Sequence, residues 1–227
     1  VAIAEYSEAE IVQAYSYLFD QRKFYNQTNG AQGAFIVVAN SSFGIDNAFE
    51  AEFPLWCSLY DSLGSVGILS VAATVNFSTD VDVVGDIPAL CSSPYLIAVT
   101  NTNRRDELAS SGYGQKSIDL AAPGTAIYTT GINDQFGATT GTSFSAPLVA
   151  GAAALLHAAA CDSFFIKNEN QPLAVKDALL RGVEWLPDLI GKTKSNGRLN
   201  LFQSLQLFLS ENCVDCMELN ALKSEIT

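Results

Sequence analysis

A serine hydroxyl attacks a carbonyl when a base takes its proton and fixed N–H donors hold the oxygen that turns negative. Ser143 is the residue best placed for this. It lies in Gly141-Thr142-Ser143-Phe144-Ser145-Ala146-Pro147-Leu148-Val149-Ala150-Gly151, which opens a small and apolar run from Ala152 to Ala160 broken only by His157. Such a run, without turn signals, predicts a buried helix too short to cross a bilayer. Ser143 then falls in the first turn, where unpaired N–H groups and the positive dipole end favour negative charge. Its own N–H would hold the developing oxyanion. Gly141 permits a tight entry into the helix. Pro147 sits near the end of the first turn, where its missing donor costs least. The same residues also describe an alanine-rich core helix with an ordinary serine cap.

A nucleophilic serine needs a general base, usually a histidine oriented by an aspartate. The only histidine is His157, fourteen residues farther along the same helix. At about 1.5 Å per residue that is roughly 21 Å away. His157 therefore cannot serve Ser143.

Gly-Thr-Ser-x-x-x-Pro-x-Val-Ala-Gly resembles the nucleophile segment of the subtilisin-like serine proteases, with Ser143 in the nucleophile's place. Phe144 stands where that family often has Met, and Leu148 where it often has His. Two further stretches carry the resemblance. Asn40-Ser41-Ser42-Phe43-Gly44 is similar to the family's substrate-binding strand, ending Asn-x-Ser-x-Gly. There an extended peptide pairs its backbone with the strand edge. Ala72-Ala73-Thr74-Val75-Asn76 is similar to the family's Ala-Ala-Gly-Asn, with Thr74 for Gly and Val75 as an extra residue. The resemblance implies that Ser42, Phe43, Gly44, Ala72, Ala73 and Thr74 bind substrate. It also implies that Asn76, after a one-residue slip, donates the second oxyanion hydrogen bond; Asn76 as a plain loop residue is the alternative. Ile118-Asp-Leu-Ala-Ala-Pro-Gly124 and Gly197-Arg-Leu-Asn200 extend the likeness, which covers about residues 1–210.

The fold implied is α/β with three layers: a mostly parallel central sheet with helices on both faces, its N-terminal portion missing. The residues support that class directly. Ser7-Glu-Ala-Glu10 is a capping box, and Ile11, Tyr15, Leu18 and Phe19 recur at helical spacing. Phe35 to Ala39 reads as a buried parallel strand. Further helices are expected over 55–63 and 172–182 and a last one through Leu209. Further strands are expected over 67–73, 95–100 and 118–124, a loop over 131–140, and the tail of a strand over 1–4. Helices between such strands make βαβ units. The domain division expected is 1–211 for the partial peptidase domain, with 212–227 a linker or the start of a following module.

Neither an Asp-Ser/Thr-Gly nor a His-Gly-Thr segment occurs in the chain. The family's aspartate and histidine are expected upstream of Val1, so the chain as given is expected to be inactive. Two other readings stand beside this one. The first is a catalytically dead relative serving as a binding or scaffold module. The second is an α/β-hydrolase, which Ser145 in the final glycine position of Gly-x-Ser-x-Gly argues against.

With 24 acidic against 12 basic residues the net charge is −12, which disfavours nucleic acid and anionic membranes as partners. The partner expected is an extended polypeptide; the oligomeric state is open. No cofactor is needed for the chemistry. Calcium would suit Asp80, Asp82 and Asp86, but their spacing is not that of an EF-hand and a solvated acidic loop is the simpler reading. No metal site is expected. Asn26, Asn40 and Asn76 open glycosylation sequons that are taken as coincidental. Five cysteines suggest an oxidising compartment, hence a secreted protein. The pairs expected are Cys57–Cys91 and Cys161 with Cys213 or Cys216, against the alternative of unpaired buried thiols.

Overall fold

A computed structural model describes residues 7–167 and 171–213. The strand tail expected at 1–4, the segment 214–227 and Cys216 lie outside these. Helix α1 (Glu8–Gln27) starts where the capping box places it, the Ser7 hydroxyl accepting from the Glu10 N–H at 3.3 Å. There follow β1 (Val38–Ser41), α2 (Pro54–Ser65), β2 (Leu69–Ala73), β3 (Leu96–Thr102) and β4 (Leu120–Pro123). Then come α3 (Thr142–Ala159), α4 (Gln171–Arg181), β5 (Glu184–Trp185), β6 (Gly197–Arg198) and α5 (Leu201–Asn212).

The central sheet runs β1-β2-β3-β4-β6-β5, parallel except for its last pair. Strand alternation sorts its residues between two helix layers. Leu69, Val71 and Ala73, with Ile97, Val99, Leu120 and Ala122, pack against α3, α4 and α5. Ala39 and Ala72 face Tyr15, Trp56, Tyr60 and Leu63 of α1 and α2. This is the expected three-layer α/β arrangement, and it leaves the carboxyl ends of β1 and β2 beside the start of α3. In open parallel sheets, ligands bind at such ends.

Three expectations need correcting. The first strand is Val38–Ser41 rather than 35–39, because pairing with β2 begins only at Val38↔Leu69. Phe35 is instead half exposed, with the Arg22 guanidinium 4.3 Å from its ring centre. Part of the expected loop at 131–140 is a strand, Phe136–Thr139, paired antiparallel with Ile127–Thr130. Its alternation was invisible because both of its faces are largely open to solvent. Helix α3 has 18 residues, which by length and composition alone would cross a bilayer, contrary to the sequence reading. Half of it is buried against the sheet and its helices, as a core helix requires.

Among the described residues two disulfides close the fold, Cys57–Cys91 and Cys161–Cys213, with Cα separations of 5.1 and 5.7 Å. The second joins Cys161, just after α3, to Cys213, just after α5.

Beneath β1 lies a buried polar chain. Tyr15 Oη is 2.5 Å from Ser41 Oγ and 3.0 Å from Tyr60 Oη, and Trp56 Nε1 donates to Tyr60 Oη at 3.1 Å. Burial pushes the Tyr15 and Tyr60 phenols up, so both stay neutral. Removing one partner strands the others without water. Tyr15→Phe is therefore expected to cost about 1–3 kcal/mol. Urea unfolding would read this as a lower midpoint at unchanged slope. An unchanged midpoint would show that the chain of hydroxyls carries no stability.

Candidate active site

Three backbone segments converge at the start of α3. The first is the stretch leaving β1, Ser42 to Gly44. The second is the end of β2 with its continuation to Asn76. The third is Gly141 to Ser143. Gly141 is the N-cap, so Ser143 is the second helical residue and its N–H is among those a helix leaves without an internal acceptor. The segment is held in place by Gly124 after β4. Gly141 N–H donates to Gly124 O at 2.9 Å. A Cβ at position 124 would come within 2.7 Å of Gly141 O, so only glycine allows this approach.

Asn76 locks the helix start from the other side. Its Oδ1 accepts from Thr142 N at 2.8 Å and lies 3.0 Å from Thr142 Oγ1, whose single proton it shares at most in part. The Thr142 hydroxyl also donates to Thr74 O. With Oδ1 engaged by the Thr142 N–H, the Asn76 amide turns its NH₂ away from Thr142, and its donors are left for whatever enters the cleft. Asn76 is exposed. The one-residue insertion at Val75 is thus absorbed without moving Asn76 out of reach of the helix.

Ser143 is half-buried, not sealed in the interior. It exchanges contacts with the end of β1. Ser42 Oγ donates to Ser143 O at 3.0 Å, and Ser143 Oγ donates to Ser42 O at 3.5 Å. Asn40 Nδ2 donates to Ser42 Oγ at 2.9 Å. Among the described residues no histidine or carboxylate bonds to the Ser143 hydroxyl. His157 lies in the apolar interior near the far end of α3, stacked on Phe165 with ring centres 6.4 Å apart. Burial pushes its pKa down to about 4, with Arg22 adding to the effect, so it is neutral.

The cleft beside Ser143 has a volume of about 230 Å³. Ser42, Phe43, Gly44, Ala73, Thr74 and Asn76, all singled out from the sequence, line it together with Ser143. Ala72 does not. It is wholly buried on the opposite face of β2, against α2. Neighbouring residues of a strand point opposite ways, so Ala72 and Ala73 cannot both form the wall.

The structure adds Asp46, Val75, Phe77 and Asp86 to the lining. Asp86 overturns the solvated acidic loop expected over 80–86. It is 2% exposed. Its Oδ2 accepts from Thr74 Oγ1 at 2.5 Å and from Val75 N at 3.2 Å. Burial pushes its pKa up to about 6 against the pull of those two bonds, and Asp46 raises it further. Asp80 and Asp82 are also structural. Asp80 caps the short helix Val81–Val84. Asp82 accepts from Lys116 N and Ser117 Oγ. Among the described residues no group of three or more His, Cys, Asp or Glu side chains is gathered as a metal ion would require.

Comparison with known proteins identifies the family. A family model described as the subtilase family matches residues 4–202. "Subtilisin-like protease 2" of Plasmodium falciparum (isolate 3D7) is 34% identical over 115 residues, 50% of this chain and 9% of that protein. "Major intracellular serine protease" of Bacillus subtilis (strain 168) is 35% identical over 98 residues, 43% of this chain and 31% of that protein. The chain thus matches less than a third of the length of either relative. Among solved structures, the prenylagaramide maturation protease PagA superposes with a TM-score of 0.68 at 22% identity, over 92% of this chain and 70% of that one. The subtilase cytotoxin SubAB does so with a TM-score of 0.70 at 20% identity, over 94% of this chain and 69% of that one. At these identities the two structures speak for the fold alone.

Proposed function

The chain belongs to the subtilase family, and from that premise we propose that it is the nucleophile-bearing part of a serine endopeptidase. Ser143 Oγ attacks the scissile carbonyl and carries the acyl group. The Ser143 N–H and the Asn76 amide receive the oxyanion. The substrate's backbone lies along Ser42 to Gly44, and the side chain preceding the scissile bond enters the cleft walled by Ala73 and Thr74. The observation that supports this reading is the Asn76 Oδ1 engaged by the Thr142 N–H, with Asn76 and Ser143 lining one cleft.

The general base lies outside these 227 residues in this reading, because the only histidine is His157. Disulfides at Cys57–Cys91 and Cys161–Cys213 support an oxidising, extracellular compartment. No cofactor takes part in the chemistry proposed.

Full-length protein is expected to digest casein and to be labelled at Ser143 by a serine-directed phosphonate. The 227-residue chain alone is expected to do neither at a comparable rate. Rapid Ser143-dependent digestion by the isolated chain would overturn the external base. Failure of the full-length protein in both assays would favour the catalytically dead scaffold instead.

A further inference from the structure

The cleft beside Ser143 contains a charge that the fold leaves unanswered. Asp86 lines it and is 2% exposed. Both hydrogen bonds to its carboxylate, from Thr74 Oγ1 and Val75 N, fall on Oδ2. Oδ1 accepts nothing from the described residues. The other carboxylate of the lining is Asp46, which pairs with Asp86 across a two-residue antiparallel bridge, Ile45–Asp46 against Asp86–Ile87. No Lys, Arg or His belongs to the lining. A carboxylate held out of water without a cation is costly, and the cost is relieved when a cation arrives with the correct geometry. At about 30 Å³ per water molecule, the cleft's volume of about 230 Å³ has room for a long side chain.

We propose that Asp86, supported by Asp46, makes this cleft a receptor for a lysine or arginine side chain immediately before the scissile bond. The proposal rests on the protease reading above and adds the substrate class to it. The second oxygen of Asp86 accepts the ammonium or guanidinium hydrogen bond, while Thr74 and Val75 keep the carboxylate from rotating away. Asp46, at the exposed mouth, attracts the same cation on entry. A hydrophobic side chain would instead seal the Asp86 carboxylate away from water and from any partner.

The pH dependence follows. Asp86 is ionised above about 6 in the free protein, and Asp46 is the charged group that acts on it. A bound cation favours the ionised form and moves the transition lower. Selectivity for a basic residue is therefore full at pH 8 and is lost as the pH falls through the Asp86 transition.

Two eight-residue peptides of identical composition separate this from general attraction to an acidic protein. One carries Arg at position four and Leu at position one; the other exchanges them. Arg at position one could enter the cleft only with no residues before it to pair along Ser42 to Gly44. Titrated into the 227-residue chain at pH 8 and followed by calorimetry, the first peptide is expected to bind about tenfold tighter, as one charge-assisted hydrogen bond implies. The ratio should approach one at pH 5 and in Asp86→Asn. Should that variant not fold, the pH series on the unaltered chain gives the same answer. Equal binding at pH 8, or a ratio indifferent to both pH and Asp86→Asn, overturns the proposal and leaves the protease reading standing. Binding of neither peptide overturns both.

Discussion

Ser143→Ala in the full-length protein is expected to lower kcat by about 10⁶-fold, with KM for a peptide substrate little changed. The magnitude is carried over from subtilisin, a member of this family, and not calculated from this structure. Its physical basis is that no other hydroxyl can take over. Ser42 Oγ is engaged with Ser143 O and Asn40 Nδ2. Ser145 is fully buried on the inner side of α3. Ser145→Ala is the matched control, since its Oγ has no hydrogen-bond partner and does not line the cleft beside Ser143. Steady-state hydrolysis of a chromogenic peptide would show the difference. Loss of less than about a hundredfold in the Ser143 variant would mean that the acyl group is carried elsewhere or that water attacks directly.

Asn76 is expected to show the next largest effect, and two substitutions distinguish its two roles. Its Oδ1 positions the first turn of α3 through Thr142; its NH₂ is assigned to the oxyanion. Asn76→Asp keeps the acceptor for Thr142 but removes the donor and adds negative charge. It should fold normally and lose about 10²–10³ in kcat, the cost of such a donor in this family. Again the figure is taken over from subtilisin. Asn76→Ala removes both roles, so it should show the same kinetic loss together with a lower thermal midpoint. If Asn76→Asp were as active as the parent while Asn76→Ala were not, Asn76 would be a positioning residue only. The oxyanion would then depend on the Ser143 N–H alone.

What was legible in the chain was whatever local order encodes. The segment around Ser143 is placed by its resemblance to the subtilisin-like nucleophile segment, since its glycine, small residues and apolar continuation alone also fit an ordinary core helix. The central strands were readable because a strand buried on both faces is apolar throughout. Asn76 was placed despite the insertion of Val75, since its distance from the end of β2 stays short. Asp86 was not legible. Within Asp80-Val-Asp-Val-Val-Gly-Asp86 it looks like its neighbours. Only the pairing of Ile45–Asp46 with Asp86–Ile87, some forty residues apart in sequence, drives it inward. Ala72 was misplaced for a simpler reason. A motif lists residues in a line, whereas a strand deals them alternately to two faces. Arg22 shows the same limit. A cation on a helix that carries both apolar and charged residues gives no sign that it will be 4% exposed and donate to Ile36 O at 2.6 Å.

The Cys161–Cys213 bond has a consequence for the other end of α3. That helix is clamped at its first turn by Asn76 and Gly124, and just beyond its last turn by a covalent latch to the end of α5. By loop-closure entropy, a link across 52 residues is worth about 4 kcal/mol to the folded state. A reducing milieu would therefore unfasten the tail of the rod whose tip bears Ser143. Thiols would thus loosen the support of that tip from its far end, without entering the cleft.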